Sequence, residues 1–389
     1  LPIEVGATVN GIPMVIPYTL SMGSATITNM AALNGLLSTY WGDGIENAAV
    51  TITGPGMQET MMTGESGTYN LPSLNPGMEY TVSAAKDLDH SNGLSTYALF
   101  IGQRFLLGMN PSQITSPYQV IAGDANCNDA FTTLDLFLIQ RLIIGAQEEF
   151  DNCPSWVFVT EGQDMPTDFD AYNVFPYASA NTMMLTQPET ANFIGVKVGD
   201  ILGQANPNNF GGLDDDRTNG QLPFTAENLA VAAGDEVTLY FRSAAFADIV
   251  SYQFGLQFPA NQVEYLEFFP AEEQPFQTVV VGDADAEEGK LRLSWFSLDG
   301  QGHSASADQA LFAIKFRALT DIEDWTNILR LDPGSMLPEA YNNNEEALDP
   351  EINFGEVVTG TDVPVESKFR LDQNTPNPFA SKTLIGFNL

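Results

Sequence analysis

The chain has 389 residues, with 50 Asp and Glu against 14 Lys and Arg, and a formal net charge of −36. That length exceeds one ordinary domain and points to roughly two to four. An acidic surface of this kind repels DNA, RNA and anionic lipid, which excludes nucleic-acid binding and favours divalent cations. No Lys or Arg occurs before Lys86. No apolar run reaches the about 18 residues of a membrane span, because LFLIQRLIIG is broken by Gln140 and Arg141. Membrane insertion is not expected. The chain opens on Leu1 with no basic segment before an apolar stretch, so it reads as a mature form or a fragment.

Catalytic motifs are missing from the sequence. His90 and His303 belong to no HExxH, no GxSxG elbow and no Cys–His pair. The glycines form no phosphate-binding loop, and a non-enzymatic protein is expected. The two cysteines, Cys127 and Cys153, read as free buried thiols in a reducing compartment and as one disulfide in an exported protein.

Residues 1–25, with NGIPMVIPYTL, read as the tail of a preceding domain. From 26 to 85, period-two alternation is punctuated by Gly, Pro and Asn, which predicts a small antiparallel β-sandwich. The segment around Asn34–Gly35–Leu36, GIENAAVTITG, TGESGTYNLPSL and Pro76–Gly77–Met78–Glu79–Tyr80 resembles the Cna-B or carboxypeptidase-regulatory-like family. That resemblance implies a spacer or stalk.

The most specific signal lies in 86–155. Asp87 to Gly108 and Asp124 to Gly145 align without a gap at an offset of 37 residues, with seven of 22 positions identical. Each half is a polar twelve-residue loop followed by an apolar helix. In the second loop, oxygen side chains fall at positions 1, 3, 5, 9 and 12, as Asp124, Asn126, Asn128, Thr132 and Asp135, and Ala130 offers its carbonyl at position 7. This is the spacing with which an EF-hand-type loop gathers oxygens around Ca2+. Asp129 takes the sharp turn where Gly is usual. The first loop presents Asp87, Asp89, Ser91, the Gly93 carbonyl and Ser95, but Ala98 stands at position 12, so a weaker site is expected there. A plainer reading is a polar N-cap before each helix, with Thr96 or Thr133 capping.

Two such repeats without an entering helix resemble a type I dockerin, most like the dockerin-like modules of exported Bacteroidetes proteins. Residues 156–216, including WVFV, NFIGVKVGD and the run Asp214–Asp215–Asp216, read as a linker or extension. Alternation returns in 217–358 with EVTLYFRS, SYQFGLQF, KLRLSWF and LFAIKFRAL, a second β-sandwich. GDEVTLYFRS followed by SYQFGLQF and Leu311 to Phe316 resembles the cohesin family. Trp295 and Trp325 are candidate sugar platforms, although Trp295 reads better as core.

Residues 359–389 read as a linker and a truncated terminal domain. Gln373, Asn374, Pro376, Asn377, Pro378 and Phe379 resemble the opening of the type A sorting domain of the type IX secretion system. That resemblance implies passage across the outer membrane, a secreted or cell-surface location, and therefore a Cys127–Cys153 disulfide.

The whole predicts a mainly β, multidomain chain, with two antiparallel sandwiches separated by a small α-helical calcium module. The functional expectation is a secreted, calcium-binding scaffold with a protein or polysaccharide partner at the cell surface. Cohesin–dockerin-type self-association is a possible use of the two modules. The alternatives are the accessory region of a large secreted glycoside hydrolase or peptidase, or a carbohydrate-binding module.

Overall fold

The computed structural model describes residues 30–168, 174–208 and 220–358, together with the backbone of four short strands outside them. Two of these, β1 (Gly6–Val9) and β2 (Ile12–Val15), form an antiparallel pair. The first sandwich begins with β3 (Ala31–Thr39), β4 (Ala49–Gly54), β5 (Met57–Met62), β6 (Thr68–Leu74) and β7 (Met78–Ala85). β3 shows why the alternation predicts it: Ala31, Leu33 and Leu37 face the core and their neighbours face outward. Gly35 sits on the inner side because a Cβ there would meet the Ala191 carbonyl and the Tyr69 ring.

The chain then leaves this sandwich for three helices, α1 (Thr96–Leu106), α2 (Pro117–Gly123) and α3 (Thr133–Ile143). It returns as β8 (Trp156–Thr160), β9 (Ala180–Leu185), β10 (Glu189–Thr190) and β11 (Phe193–Lys197). One sheet runs β5-β4-β7-β9; the other runs β10-β3-β11-β8, with β6 also on β3. The stretch expected as a linker therefore supplies four strands, and the helices are an insertion within the first sandwich. Weak sequence alternation hid them: Phe193, Gly195, Val196 and Lys197 are all buried, so β11 has no solvent face to mark its period. Both β10 and β11 lie parallel to β3, so the sandwich is mixed where an antiparallel one is expected.

The second sandwich comprises β12 (Gln221–Leu229), β13 (Glu236–Arg242), β14 (Ile249–Gln257), β15 (Val263–Pro270), β16 (Val280–Gly282), β17 (Lys290–Phe296), β18 (Ala310–Ala318), β19 (Arg330–Leu331), β20 (Glu339–Asn342) and β21 (Ala347–Val358). The order is β15-β18-β13-β12-β21-β20-β14-β17-β16, with β19 on β14, and β12 pairs β21 in parallel. Its core stacks Phe224, Phe241, Tyr252, Phe254, Trp295 and Phe312. Trp295 and Trp325 are both 0 % exposed, and the Trp325 indole N–H donates to the Leu229 carbonyl, so neither serves as a sugar platform.

The last two strands, β22 (Arg370–Leu371) and β23 (Phe387–Asn388), pair antiparallel. Gln373 to Phe379, expected as a sorting motif, and the run Asp214–Asp215–Asp216 lie outside the described residues. Among the described residues, no helix is long and apolar enough to cross a membrane.

Candidate metal centre and docking face

The helix following each loop starts one residue earlier than Thr96 or Thr133 would dictate. Ser95 caps α1 by accepting the Ala98 N–H at 3.2 Å, and Thr132 stands at the N-cap of α3. The second loop closes on two carboxylates taken out of water, with Asp124 6 % and Asp135 0 % exposed. Asp124 accepts the N–H of Asn128 at 3.0 Å and of Asp129 at 2.9 Å. Asp135 accepts the N–H of Thr132 at 2.8 Å, the Thr132 hydroxyl at 2.8 Å and the Asn126 N–H at 3.3 Å. Asn128 turns its side-chain oxygen onto the Ala130 N–H at 3.1 Å.

These contacts tie loop positions 1, 5 and 6 together through Asp124, positions 3, 9 and 12 through Asp135, and positions 5 and 7 through Asn128. Asp129 takes φ 64° and Cys127 φ 54°, the left-handed turns that let the chain make them. Burial pushes both Asp124 and Asp135 above the ordinary aspartate range; at Asp124 the charges of Asp135 and Asp129 add to the effect. The buried Asn126 side-chain oxygen has no hydrogen-bond partner. An orphaned oxygen beside two desolvated carboxylates is a donor set that fits a hard cation. Among the described residues no group of three or more His, Cys, Asp and Glu could hold a metal, so such an ion would draw on amide, hydroxyl and carbonyl oxygens as well.

Cys127 and Cys153 are bonded, with Cα atoms 5.4 Å apart, and tie loop position 4 to the chain beyond α3.

The first loop is arranged differently. Asp87, Asp89 and Ser91 are exposed, and Asp87 accepts the Ser155 N–H at 2.8 Å and lies 3.0 Å from His90 Nε2. Gly93 (φ 78°) presses on Ala205, and the Ser95 hydroxyl reaches Gln204 at 3.3 Å. A cavity of about 480 Å3 lies near the rims of both loops, walled by Asp87, Asp129, Trp156 and Tyr177; of the candidate ligands only Asp87 lines it.

Sequence reasoning missed what the helices rest on. β14 is buried on both faces, because Tyr252, Phe254 and Leu256 point into the sandwich while Ser251 and Gln253 are covered from outside. The cover is α1. The Thr96 N–H and hydroxyl both reach Gln253 Oε1 at 2.7 Å, and the hydroxyl lies 2.9 Å from Ser294 Oγ on β17. Tyr97 stacks on Tyr341 at 3.9 Å between centroids, and Gln103 donates to the Leu298 carbonyl at 2.8 Å. From α3, Gln140 reaches Ser294 at 3.3 Å. Val250, Phe296, Met336 and Tyr341 share one core with Leu99, Phe100, Phe131 and Ile139. The available signal was the small polar set Ser251, Gln253 and Ser294 in otherwise apolar strands.

No protein-family model and no curated protein sequence matches the chain. Among solved structures, the chain is similar to a chain of the type I cohesin–dockerin complex Coh-OlpA–Doc918 from Clostridium thermocellum, at 13 % identity over 36 % of this chain and 99 % of that one, TM-score 0.28. It is likewise similar to a non-cellulosomal cohesin from the archaeon Archaeoglobus fulgidus, at 15 % identity over 36 % and 91 %, TM-score 0.26. A ScaB type I cohesin from Pseudobacteroides cellulosolvens shares 13 % identity over 38 % and 97 %, TM-score 0.26.

Proposed function

We propose that this chain is a secreted, calcium-binding, non-enzymatic scaffold protein whose dockerin-like helices lock onto the cohesin-like sandwich of the same chain. The observation that carries the reading is the seating of α1 on the second sandwich, with Thr96 on β14 and β17, Tyr97 on Tyr341 of β20 and Gln103 on the Leu298 carbonyl beyond β17. A free spacer would leave that strand face polar and wet. Here the buried Thr96 N–H and hydroxyl reach Gln253 Oε1, the hydroxyl also meets Ser294, and Gln103 donates to the Leu298 carbonyl, so the face is built for a partner helix.

Calcium in the second loop would be held by Asp124, Asn126, Asn128, Thr132 and Asp135 with the Ala130 carbonyl. It would fix the start of α3, which packs on α1. The joined modules would then present the remaining surface to a protein or polysaccharide partner outside the cell. The sorting-domain resemblance of Gln373 to Phe379 supports export.

Gln253→Ala tests the docking. It removes the acceptor of the buried Thr96 N–H and leaves the Thr96 hydroxyl only Ser294, a loss of about 1–3 kcal/mol. Small-angle scattering of the full chain, parent and variant, is expected to show the variant expanding; identical profiles and equal stability would count against the reading. Protease treatment of intact cells checks export. The chain should be cleaved from outside, and complete protection in cells that express it would sink that part.

A further inference from the structure

Lys197 is 1 % exposed, at the end of β11, in a chain with few bases. Its Nζ donates to the His90 carbonyl at 2.7 Å and to its neighbour Val198's carbonyl at 2.9 Å. His90 is the fourth residue of the first loop, so the amine reaches into the loop from the sandwich behind it. Burial disfavours its charged form, and the carboxylates of Asp200, Asp89 and Asp87 oppose that effect without overcoming it. Asp200 is itself buried and anchored by the N–H groups of Gln204 and Ala205, each at 2.8 Å.

The segment carrying these groups also grips the loop backbone. Asn92 donates to the Asn206 carbonyl at 2.8 Å and accepts the Asn206 N–H at 3.2 Å. A Cβ on Gly93 would come within 2.5 Å of the Ala205 nitrogen. The would-be ligands are accordingly turned outward or engaged: Asp87 with Ser155 and His90, Ser95 with Ala98 and Gln204. At position 12, Ala98 offers a methyl group where the second loop has the buried Asp135. Nothing in this loop matches the convergence of two carboxylates seen in its repeat. The residues do not fit calcium.

We propose that the first loop is a metal-free counterpart of the second, in which the buried Lys197 amine, donating to the His90 carbonyl, ties the loop backbone to the sandwich where calcium would otherwise order it. The repeat has thus diverged into one loop ordered by an ion from solution and one ordered permanently by the sandwich. The second is a joint that holds α1 to the first sandwich at any calcium concentration. Burial acts on both partners, pulling Lys197 below the ordinary lysine range and pushing Asp200 above the ordinary carboxylate range, and each opposes the effect on the other.

Calcium titration of the full chain by calorimetry, with thermal melts in calcium and in chelator, tests this. The parent should take up one calcium per chain. Asp89→Asn should leave stoichiometry unchanged and affinity within about twofold, because no ion sits in its loop. Lys197→Met should lower Tm by about 5 °C or more, equally in calcium and in chelator. A second calcium that disappears with Asp89→Asn would overturn the proposal, as would an unchanged Tm for Lys197→Met. Should Lys197→Met fail to fold, the Asp89→Asn titration decides alone. Should the parent bind no calcium, the reading of the second loop falls. The Lys197→Met melt still decides this proposal, a calcium-independent loss supporting it and an unchanged Tm overturning it.

Discussion

Replacing Asp135 by Ala is expected to weaken calcium binding on the order of 100-fold or more and to leave the melting temperature insensitive to calcium. Asp135 is fully buried at the closing position of the loop, where its two oxygens gather the Thr132 and Asn126 donors. With calcium present, the same carboxylate would complete the coordination sphere. Its loss removes one of only two buried charges in the set and leaves Asp124 to face the ion alone. At a calcium concentration about 100 times the dissociation constant, the parent gains about 2.7 kcal/mol of stability from the bound ion. The variant forgoes that gain and leaves the partly buried N–H groups of Thr132 and Asn126 unpaired, for a further loss of about 1 kcal/mol. Asp135→Asn separates the two effects, since the amide oxygen still accepts but carries no charge. Melts of parent and both variants, with calcium and with chelator, check this, and an equal calcium response in all three would refute it.

Opening the Cys127–Cys153 bond is the second large effect. The bond closes 26 residues of chain that contain most of the second loop and all of α3. Constraining a loop of that length in the unfolded chain contributes about 3 kcal/mol. Cys127 also sits at φ 54°, a conformation a non-glycine residue holds only when its surroundings fix it. Cys127→Ser should therefore lower stability by about 3 kcal/mol and weaken calcium binding, because the turn between Asn126 and Asn128 loses its anchor. Denaturant melts of parent and variant measure the first effect. Alkylation of the native protein before reduction should leave both cysteines unmodified in intact-mass spectra, and two alkylated thiols would contradict the pairing.

Much of this arrangement was legible in the sequence, and what was not has a physical reason. The loop-helix repeat is written in residue types at fixed offsets, so Asp124 and Asp135 are identifiable without coordinates. Strands β3, β4, β7, β13 and β18 announce themselves by alternation. β8 to β11 do not: β9 pairs with β7 and β10 and β11 with β3 from about a hundred residues or more away, and β8 only joins the sheet through β11, so none carries a local signature. The docking face was hidden for a related reason. Gln253 and Ser294 look like the solvent side of a half-exposed strand, and only the helix laid over them shows that this side is buried. Lys197 gave a fainter hint, as a lone base inside the apolar run FIGVKV.

α1 is seated on the second sandwich of its own chain, and the Thr96 amide reports on that seating directly. An N–H in the first turn of a helix has no partner within that helix and exchanges freely with solvent unless something outside it accepts. Here the acceptor is Gln253 Oε1, 157 residues along the chain. Hydrogen exchange measured on the first turn of α1 in the calcium-loaded full chain should show Thr96 protected as strongly as the middle of the helix, with the protection lost in Gln253→Ala. A Thr96 amide that exchanges in the parent as fast as an uncapped helix end would contradict the docked arrangement.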